Sequence, residues 1–322
     1  MRVLLTGGFG YLGGRLAQFL MSYAGDEVFI GTRQQCISPH WLPQAKVFQI
    51  HWDSQAHIEQ VCAGVDVVMH LAGMNAQDCA ADFIAALEFN GLTTARLLRA
   101  AVRQGVKRFI YLSTAHVYGN PLTGVITEET CPVSLDPYAT SHRAGEDVVR
   151  GAHQRGEIEG IVVRLSNAYG APAYKDANCW MLLVNDLCRQ AVTTQRVVLR
   201  SSGLQRRDFI PLSDVCRAVE HLLHLPQHDL VKNVFNVGGG WSSTVWEMAC
   251  LVQSRCAVIL GFQPNLSRVP PQPGETVTEL DYRCDLLCQS GFQPGLDKTG
   301  EIDRLLEFCK VSFFQKMEFI SK

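Results

Sequence analysis

Two side chains that can exchange protons, Tyr138 and His142, stand four positions apart in the segment PYATSHRAGE. Asp136 and Pro137 precede them, and an aspartate cap followed by proline in the first turn predicts a helix that begins here. Residues four apart on a helix lie on the same face. The two rings can therefore act on one point as an acid/base pair. The alternative is that they are simply two ring-bearing residues of a helix.

A second pattern with chemical meaning is the run of glycines in LLTGGFGYLGG, between an apolar segment and a segment of helical periodicity. Glycines at this junction let the chain turn tightly and approach a pyrophosphate, while the free amides of the helix start attract its negative charge. The alternative is a merely structural turn. Because the strand before and the helix after are both recognisable, we predict a dinucleotide-binding loop formed by Gly7, Phe9, Gly10, Tyr11, Leu12 and Gly13.

The residue after the second predicted strand bears on which dinucleotide binds. An acidic side chain about twenty positions after the glycines is typical of NAD, whereas an arginine accommodates the extra phosphate of NADP. The chain has Gly31-Thr32-Arg33 there and no acidic residue. The sequence therefore favours NADP(H), with NAD(H) as the alternative if Arg33 is only a solvated surface residue.

Composition and charge restrict the class of protein. The 322 residues are 47% hydrophobic and 19% charged, which is typical of an ordinary soluble globular protein. A net charge of −2 and a pI near 6.5 lack the basic excess of a nucleic-acid-binding protein. No apolar run reaches membrane-spanning length, and the N-terminal MRVLLTGG leaves no room for a signal peptide. Twelve scattered cysteines without zinc spacing predict reduced thiols, no metal and a cytoplasmic protein.

Short, uniformly apolar runs alternate with helical stretches along the first half of the chain. Strands of this kind are covered on both faces, so the pattern predicts an α/β fold with a doubly wound parallel sheet (Rossmann). After about residue 166 the alternation loosens, which predicts a second, smaller mixed C-terminal domain. We assign residues 1–168 to a dinucleotide-binding domain, with 206–240 returning to it, and 169–205 and 241–322 to a substrate-binding domain.

Eight stretches occur in a fixed order along the chain: TGGFGYLGG, GVDVVMHLAG, FNGLTTARLLRAA, VKRFIYLSTAHVYG, PYATSHRAGE, VVRLSNAYG, RRDFIPLSDVCRA and PQPGE. Together they resemble one family, the extended short-chain dehydrogenase/reductases, also called the NAD-dependent epimerase/dehydratase family, whose members modify nucleotide sugars. The resemblance covers residues 1 to about 295, and its motifs are highly specific as a set.

The resemblance implies roles for residues by their position in these motifs. Tyr138 matches the acid/base tyrosine, and Thr114 matches the Ser/Thr that hydrogen-bonds the sugar hydroxyl or carbonyl. Arg207 in GLQRRD matches the arginine that binds the substrate's diphosphate, for which a guanidinium is suited. Family members commonly form homodimers. Further matches are Asp53, Leu71 and Ala72 for the cofactor, Asn90 as a structural asparagine, and Asn167 for the substrate.

One departure from the family pattern lies at the centre of the predicted site. The pattern is Tyr-x-x-x-Lys, but this chain has His142 at the lysine position. The lysine holds the nicotinamide ribose, and its positive charge lowers the pKa of the tyrosine from its ordinary value of ~10. A histidine, with an ordinary pKa of ~6.5, is mostly neutral at pH 7 unless a neighbour holds its proton, and Glu146 is the predicted neighbour. We expect Tyr138 and His142 to form a weakened catalytic couple that also contacts the cofactor. The alternative is cofactor binding without efficient turnover.

Two further departures concern the reaction and the substrate. The 4,6-dehydratases of the family carry Asp-Glu directly after the Thr, and this chain has Ala115 and His116 there. We therefore expect that the protein is not a 4,6-dehydratase and that His116 is a pocket or packing residue. Gln272 in PQPGE stands where the family has an arginine facing the substrate diphosphate. This weakens the expected hold on a nucleotide sugar unless Arg268 replaces the missing charge.

The resulting prediction is an enzyme, an NAD(P)H-dependent reductase acting on the keto group of a nucleotide-linked sugar, with a ketone that lacks a nucleotide as the alternative substrate. In it Tyr138 donates the proton and Thr114 holds the carbonyl oxygen. The first alternative is a nucleotide-sugar epimerase that keeps tightly bound NAD and uses the same residues. The second is a cofactor-binding protein without catalysis, suggested by His142 and Gln272.

Overall fold

The computed structural model describes residues 1–22, 25–33, 37–230 and 232–313. Its strands are β1 (Arg2–Thr6), β2 (Glu27–Thr32), β3 (Lys46–Gln49), β4 (Val67–His70), β5 (Arg108–Thr114), β6 (Gly124–Ile126), β7 (Glu159–Leu165), β8 (Asn167–Tyr169), β9 (Arg196–Leu199), β10 (Arg206–Pro211), β11 (Val234–Val237), β12 (Ser242–Thr244), β13 (Asn265–Arg268) and β14 (Leu280–Tyr282). Its helices are α1 (Tyr11–Met21), α2 (Gln55–Cys62), α3 (Ala76–Ala81), α4 (Phe83–Ala86), α5 (Thr94–Arg103), α6 (Pro137–Gln154), α7 (Leu183–Thr194), α8 (Leu212–His224), α9 (Val245–Ile259), α10 (Asp285–Gln289) and α11 (Thr299–Phe313), with a π-helical stretch at Leu87–Thr93.

Seven strands form one parallel sheet in the order β11-β7-β5-β4-β1-β2-β3. Strand order reverses between β1 and β4, because β2 and β3 extend the sheet in one direction and β5, β7 and β11 in the other. Ligands of such sheets bind at the carboxyl ends of the strands at this reversal. The predicted doubly wound parallel sheet is confirmed.

Both faces of the sheet are covered by helices, as the uniformly apolar strands predicted. On β1, Val3 and Leu5 pack in the layer that contains Leu16 of α1 and Val215 of α8. Leu4, between them, packs in the opposite layer with residues of α2, α5 and α6. Among the described residues, none of the helices combines the length and the apolar character that crossing a membrane requires.

A second core lies beside the sheet and is formed mainly by α7, α9 and α11. The segment 206–240, predicted to return to the first domain, divides between the two regions. Its strand β11 extends the large sheet next to β7, whereas β10 pairs with β8 and β12 in a three-stranded sheet. The two-domain division stays a proposal, and residues 314–322 of the second range lie outside the described residues.

The helix α6 begins where the sequence predicted. The Asp136 carboxylate accepts a hydrogen bond from the Ala139 amide at 2.9 Å, and Pro137 occupies the first turn. This cap satisfies one of the free amides of the helix start. It places Tyr138 in the first turn and His142 one turn later.

A buried ion pair joins α6 to the sheet. Glu146 is 0% exposed and faces Arg164 of β7, with 2.6 Å between Glu146 Oε2 and Arg164 Nη2 and 3.0 Å between Oε1 and Nε. The Ser113 hydroxyl on β5 donates to the same carboxylate at 2.5 Å, and Arg164 Nη1 donates to the Tyr118 hydroxyl at 2.8 Å. Each of the two charges contacts the opposite charge and makes further hydrogen bonds. These contacts offset the free-energy cost of removing the two charges from water.

We expect Glu146→Gln to lower the free energy of unfolding by about 3–5 kcal/mol, because the Arg164 charge would stay buried without its counter-charge. Urea unfolding followed by circular dichroism measures the change. Asp147→Asn, which removes an exposed charge from the same helix, is the matched control and should change stability little. A Glu146→Gln protein as stable as the control would show that the ion pair does not support the fold.

Candidate active site

Residues predicted for the site gather at the carboxyl edge of the parallel sheet. Gly7 follows β1, Arg33 follows β2, Asp53 comes after β3, Leu71 follows β4 and Thr114 ends β5. Because the strands are parallel, their carboxyl ends lie along one edge. The fold therefore brings together positions that are up to a third of the chain apart in sequence.

The glycine loop forms a tight cradle at the start of α1. Gly7 has a φ of 74°, in the left-handed region that favours glycine, and a Cβ there would lie 2.7 Å from the Ala72 nitrogen. A Cβ at Gly13 would overlap the Gly7 carbonyl. The helix α1 has no side-chain cap and no acidic residue in its first turn, so its amides are left for an anion. The cradle fits the pyrophosphate of a dinucleotide.

The other residues of the loop direct their side chains into the protein. Leu12 is buried in the core, and the Tyr11 hydroxyl donates to the Gly170 carbonyl at 3.1 Å. The Phe9 ring packs edge-on against Trp41, with 5.9 Å between the ring centres. Because packing uses these side chains, we expect Phe9, Tyr11 and Leu12 to contact a cofactor through their backbone amides.

A buried chain of hydrogen bonds holds the segment after β4 against this loop. The Ala72 amide donates to Thr6 Oγ1 at 3.4 Å, and Thr6 Oγ1 lies 2.7 Å from His70 Nδ1. His70 Nε2 lies 3.0 Å from Thr94 Oγ1, which donates to the Asn90 carbonyl at 2.6 Å. Burial lowers the pKa of His70 to about 3, so the ring is neutral and carries one proton. Since Thr94 gives its own proton to the carbonyl, the ring donates from Nε2 and accepts from Thr6 at Nδ1.

Tyr138 lies beside the end of β5, next to its predicted partner. The Thr114 hydroxyl lies close to the phenol and accepts a hydrogen bond from the His116 amide at 3.2 Å. Burial raises the pKa of Tyr138 to about 12, and the polar Thr114 hydroxyl acts in the opposite direction. The two residues expected to handle the proton and the oxygen of a sugar therefore meet, with the phenol protonated at neutral pH.

His142 lies between Tyr138 and the segment after β4. Its ring centre is 4.6 Å from that of Tyr138, at an interplanar angle of 69°. His142 is 7% exposed, and burial lowers its pKa to about 4, so the ring is neutral at pH 7. Its Nδ1 lies 3.1 Å from the Tyr111 hydroxyl. A Cβ at Gly73 would lie 3.7 Å from its Nε2, which places that nitrogen beside the segment predicted to run along the cofactor.

The expectation that Glu146 holds a proton on His142 is wrong. Both residues lie on the same face of α6, but the Glu146 carboxylate is engaged by Arg164 and Ser113. An arginine keeps its charge at any physiological pH, so it outcompetes an imidazole for a buried carboxylate. His142 is left neutral, and in the described parts of the chain no cation lowers the pKa of Tyr138 as the family lysine would.

A buried cation, Arg207, lies near His116 and is suited to an anionic substrate. Burial lowers the pKa of Arg207, and within the described residues no ion pair with a carboxylate opposes this effect. Burial and the nearby Arg207 charge lower the pKa of His116, whose ring lies 6.3 Å from that of Tyr138. His116 Nδ1 has no hydrogen-bond partner in the part of the chain that the structure describes. Asn167, the other predicted substrate contact, donates from its amide to the Asp208 carbonyl at 3.1 Å.

Three residues bear on the remaining predictions. Arg33 and Asp53 are both exposed, and the Arg33 guanidinium lies 5.9 Å from the centre of the Phe89 ring. Arg268, considered as a replacement for the arginine missing at Gln272, stacks at 4.2 Å on the Trp246 ring. The roles assigned to Arg33, Asp53 and Arg268 stay predictions.

The sequence analysis did not identify the buried polar residues that hydrogen-bond to the residues of the site, among them His70, Tyr111 and Ser141. Ser141 Oγ accepts from Asn90 Nδ2 at 3.0 Å, and Asn90 Oδ1 accepts from the Met74 amide at 2.9 Å. A signal was present in the sequence, because His70 and Tyr111 interrupt otherwise apolar strands. Polar groups buried in a sheet need partners, so such residues predict a hydrogen-bond network.

Comparison with known proteins identifies the family. The model of the NAD dependent epimerase/dehydratase family matches residues 3–238. The dTDP-glucose 4,6-dehydratase of Streptomyces niveus is 27% identical, over 91% of this chain and 88% of its own length. The structure of MoeE5 in complex with UDP-glucose and NAD is 25% identical, with a TM-score of 0.78 over 97% of this chain and 99% of that one. TunA, an NAD-dependent NDP-hexosamine 5,6-dehydratase, is 28% identical, with a TM-score of 0.77 over 96% and 98%.

These relatives correct the expectation that the protein is not a 4,6-dehydratase. That expectation rested on Ala115 and His116 in place of an Asp-Glu pair, yet similar proteins are named 4,6- and 5,6-dehydratases. Proton transfer needs a group of suitable pKa in the right place rather than a particular residue type. The neutral imidazole of His116 lies beside Tyr138 and has this capacity.

The parallel sheet, the glycine cradle at its reversal point and the Thr114–Tyr138 pair agree with the match to the family model, which covers most of the chain. The protein belongs to the NAD dependent epimerase/dehydratase family.

Proposed function

We propose that the protein uses a nicotinamide dinucleotide to oxidise or reduce a carbon atom of a nucleotide-linked sugar. The observation that carries this proposal is the closeness of the Thr114 hydroxyl to the Tyr138 phenol, whose pKa it lowers, beside His142 and the segment after β4. The complex of MoeE5 with UDP-glucose and NAD supports the choice of ligands. The buried Arg207 charge, which has no ion-pair partner among the described residues, supports an anionic substrate.

In the proposed reaction each residue of the site has one task. Tyr138 donates its proton to the sugar oxygen during reduction and accepts it during oxidation, while Thr114 holds the same oxygen by a hydrogen bond. Arg207 binds the diphosphate. A dinucleotide held by the Gly7–Gly13 cradle would supply or accept the hydride. The neutral His142 contributes a hydrogen bond without a charge.

We propose reduction of a keto sugar with NADPH as the first form of this chemistry and epimerisation with a retained NAD as the second. Arg33 favours the first, because a guanidinium suits the 2′-phosphate of NADP. The NAD in the complex of MoeE5 favours the second. Analysis of the products from UDP- and dTDP-linked sugars distinguishes reduction, epimerisation and loss of water. Binding of the dinucleotide without turnover of any sugar would favour a cofactor-binding protein without catalysis.

A homodimer is also a proposal. Phe83 and Ile84 of α4 are each 59% exposed, on a helix that packs beside α6. Two neighbouring apolar side chains on a surface suit a contact with a second copy.

We expect Tyr138→Phe to lower the turnover rate by about 10²–10⁴-fold, because the phenyl ring cannot transfer a proton. The rate is measured from the absorbance of the reduced nicotinamide with a nucleotide sugar that the wild-type protein converts. Dinucleotide binding should persist in the variant, which separates a loss of chemistry from a loss of folding. Turnover within threefold of wild type would refute the role of Tyr138.

We expect the rate of sugar oxidation to keep rising with pH up to about 10, since the phenolate is the base and the pKa of Tyr138 lies at about 12. His142→Lys adds a positive charge beside the phenol, so its pKa should fall and the rate should level off at lower pH. Initial rates across this range test both statements. Identical profiles for the two proteins would show that position 142 does not tune Tyr138.

We expect Arg33→Ala to weaken binding of NADP about tenfold while leaving NAD binding nearly unchanged, because only NADP carries the 2′-phosphate. Fluorescence titration gives both dissociation constants. Arg196→Ala, which removes an exposed arginine of β9, is a matched control. If the ratio of the two constants is the same in all three proteins, Arg33 does not select the dinucleotide.

A further inference from the structure

The protonation of the His142 ring decides what this residue can offer a ligand. A neutral imidazole carries its proton on one nitrogen and accepts at the other. Nδ1 faces the Tyr111 hydroxyl, and Nε2 borders Gly73. If the proton sits on Nδ1, the nitrogen toward the predicted cofactor segment can only accept; if it sits on Nε2, that nitrogen donates.

The Tyr111 hydroxyl determines which of these forms exists. Tyr111 is 2% exposed, and burial raises its pKa well above the ordinary value, so the hydroxyl keeps its single proton. Two acceptors compete for it: His142 Nδ1 at 3.1 Å and the Asn90 carbonyl at 3.5 Å. That carbonyl already accepts from Thr94 at 2.6 Å. The contact to His142 Nδ1 is the shorter one, and among the described residues no other donor reaches this nitrogen. The hydroxyl proton therefore goes to Nδ1, which leaves the ring proton on Nε2.

The position of this hydroxyl is built into α6. Gly145 lies in the interior of the helix, where glycine is unfavourable relative to alanine. A Cβ at Gly145 would lie 2.5 Å from the Tyr111 hydroxyl oxygen and 2.8 Å from the Asn90 carbonyl oxygen. The absence of a side chain at Gly145 therefore leaves the space that the Tyr111 hydroxyl occupies when it contacts His142.

We propose that Tyr111 is a positioning residue that holds His142 in its Nε2–H form, so that a neutral ring presents a hydrogen-bond donor to the ribose of the dinucleotide. The identity of that ligand rests on the proposed function, whereas the tautomer does not. An ammonium group offers three donors in any orientation. A neutral histidine at the same place offers a donor at Nε2 in this tautomer alone, so replacing lysine by histidine makes Tyr111 necessary.

The tautomer is measured directly in the full chain without any ligand. Protein labelled with ¹⁵N-histidine gives ring resonances whose shifts distinguish a protonated from an unprotonated nitrogen, and the spectrum of His142→Gln assigns the signals of His142. We expect Nε2 protonated and Nδ1 unprotonated at pH 7. Tyr111→Phe, which removes only the hydroxyl, should shift the ring toward a mixture of both forms. Gly145→Ala should do the same by displacing the hydroxyl.

Binding of NAD and NADP supplies the second readout. Tyr111→Phe should weaken binding of the preferred dinucleotide, raising its dissociation constant roughly three- to tenfold, the range expected for the loss of one hydrogen bond. In the His142→Lys background the same change should have less than about a twofold effect, because lysine has no tautomer to set. Tyr169→Phe, which removes another buried hydroxyl that donates to the Lys298 carbonyl, should alter neither the tautomer nor binding.

A His142 ring protonated on Nδ1 in the wild-type protein would overturn the inference, and so would a Tyr111→Phe protein with an unchanged tautomer. Equal effects of Tyr111→Phe on binding with histidine and with lysine at position 142 would also overturn it, since Tyr111 would then act through the fold in general. A different outcome is a wild-type protein whose His142 ring proton is on Nε2, as expected, but which binds neither dinucleotide. This result would refute the proposed function and, with it, the ribose as the acceptor of the hydrogen bond.

Discussion

Glu146 on α6 and Arg164 on β7 form an ion pair that is shielded from solvent, and the orientation of the site follows from it. Tyr138, His142 and Glu146 are spaced four apart, so they occupy one face of the helix. Fixing Glu146 against Arg164 and Ser113 fixes the rotation of α6 about its axis. Ser113 is the neighbour of Thr114 on β5, so the same contact sets the approach of Tyr138 to Thr114. Separating the charges would leave Arg164 buried and unpaired, which opposes rotation of the helix.

The ion pair also decides the charge of the site. Because Arg164 uses the Glu146 carboxylate, Asp136 is the anion that still favours a protonated His142, and burial outweighs its effect and keeps the ring neutral. Among the described residues, no cation lowers the pKa of Tyr138, which burial raises. The buried cation Arg207 lies near His116, whose ring centre is 6.3 Å from that of Tyr138. The site therefore concentrates positive charge where a diphosphate would bind and withholds it where the proton is transferred.

Hydrogen bonds with a single consistent direction link the two halves of the site. One chain runs from the Ala72 amide through Thr6, His70 and Thr94 to the Asn90 carbonyl. The Tyr111 hydroxyl lies beside the same carbonyl and reaches His142. Each ring in this network is neutral, so its tautomer is set by its partners rather than by pH. Such fully paired networks in a low-dielectric interior are rigid, which suits a surface that must hold a long cofactor in one position.

The sequence by itself determined the sheet, its covering helices, the glycine cradle and the start of α6, because these follow from local patterns: apolar runs, glycine spacing and a capping aspartate. It also named Tyr138 and Thr114, which the fold brings together. It assigned Glu146 to His142 because helical spacing places both on one face, but spacing does not reveal what faces them from other elements. Arg164 and Tyr111, which lie on strands β7 and β5, decided the charge and the protonation of that face. Tertiary structure alone settles such contacts, since the strength of a hydrogen bond or an ion pair depends on distance and burial, and neither is written in the order of residues along one helix.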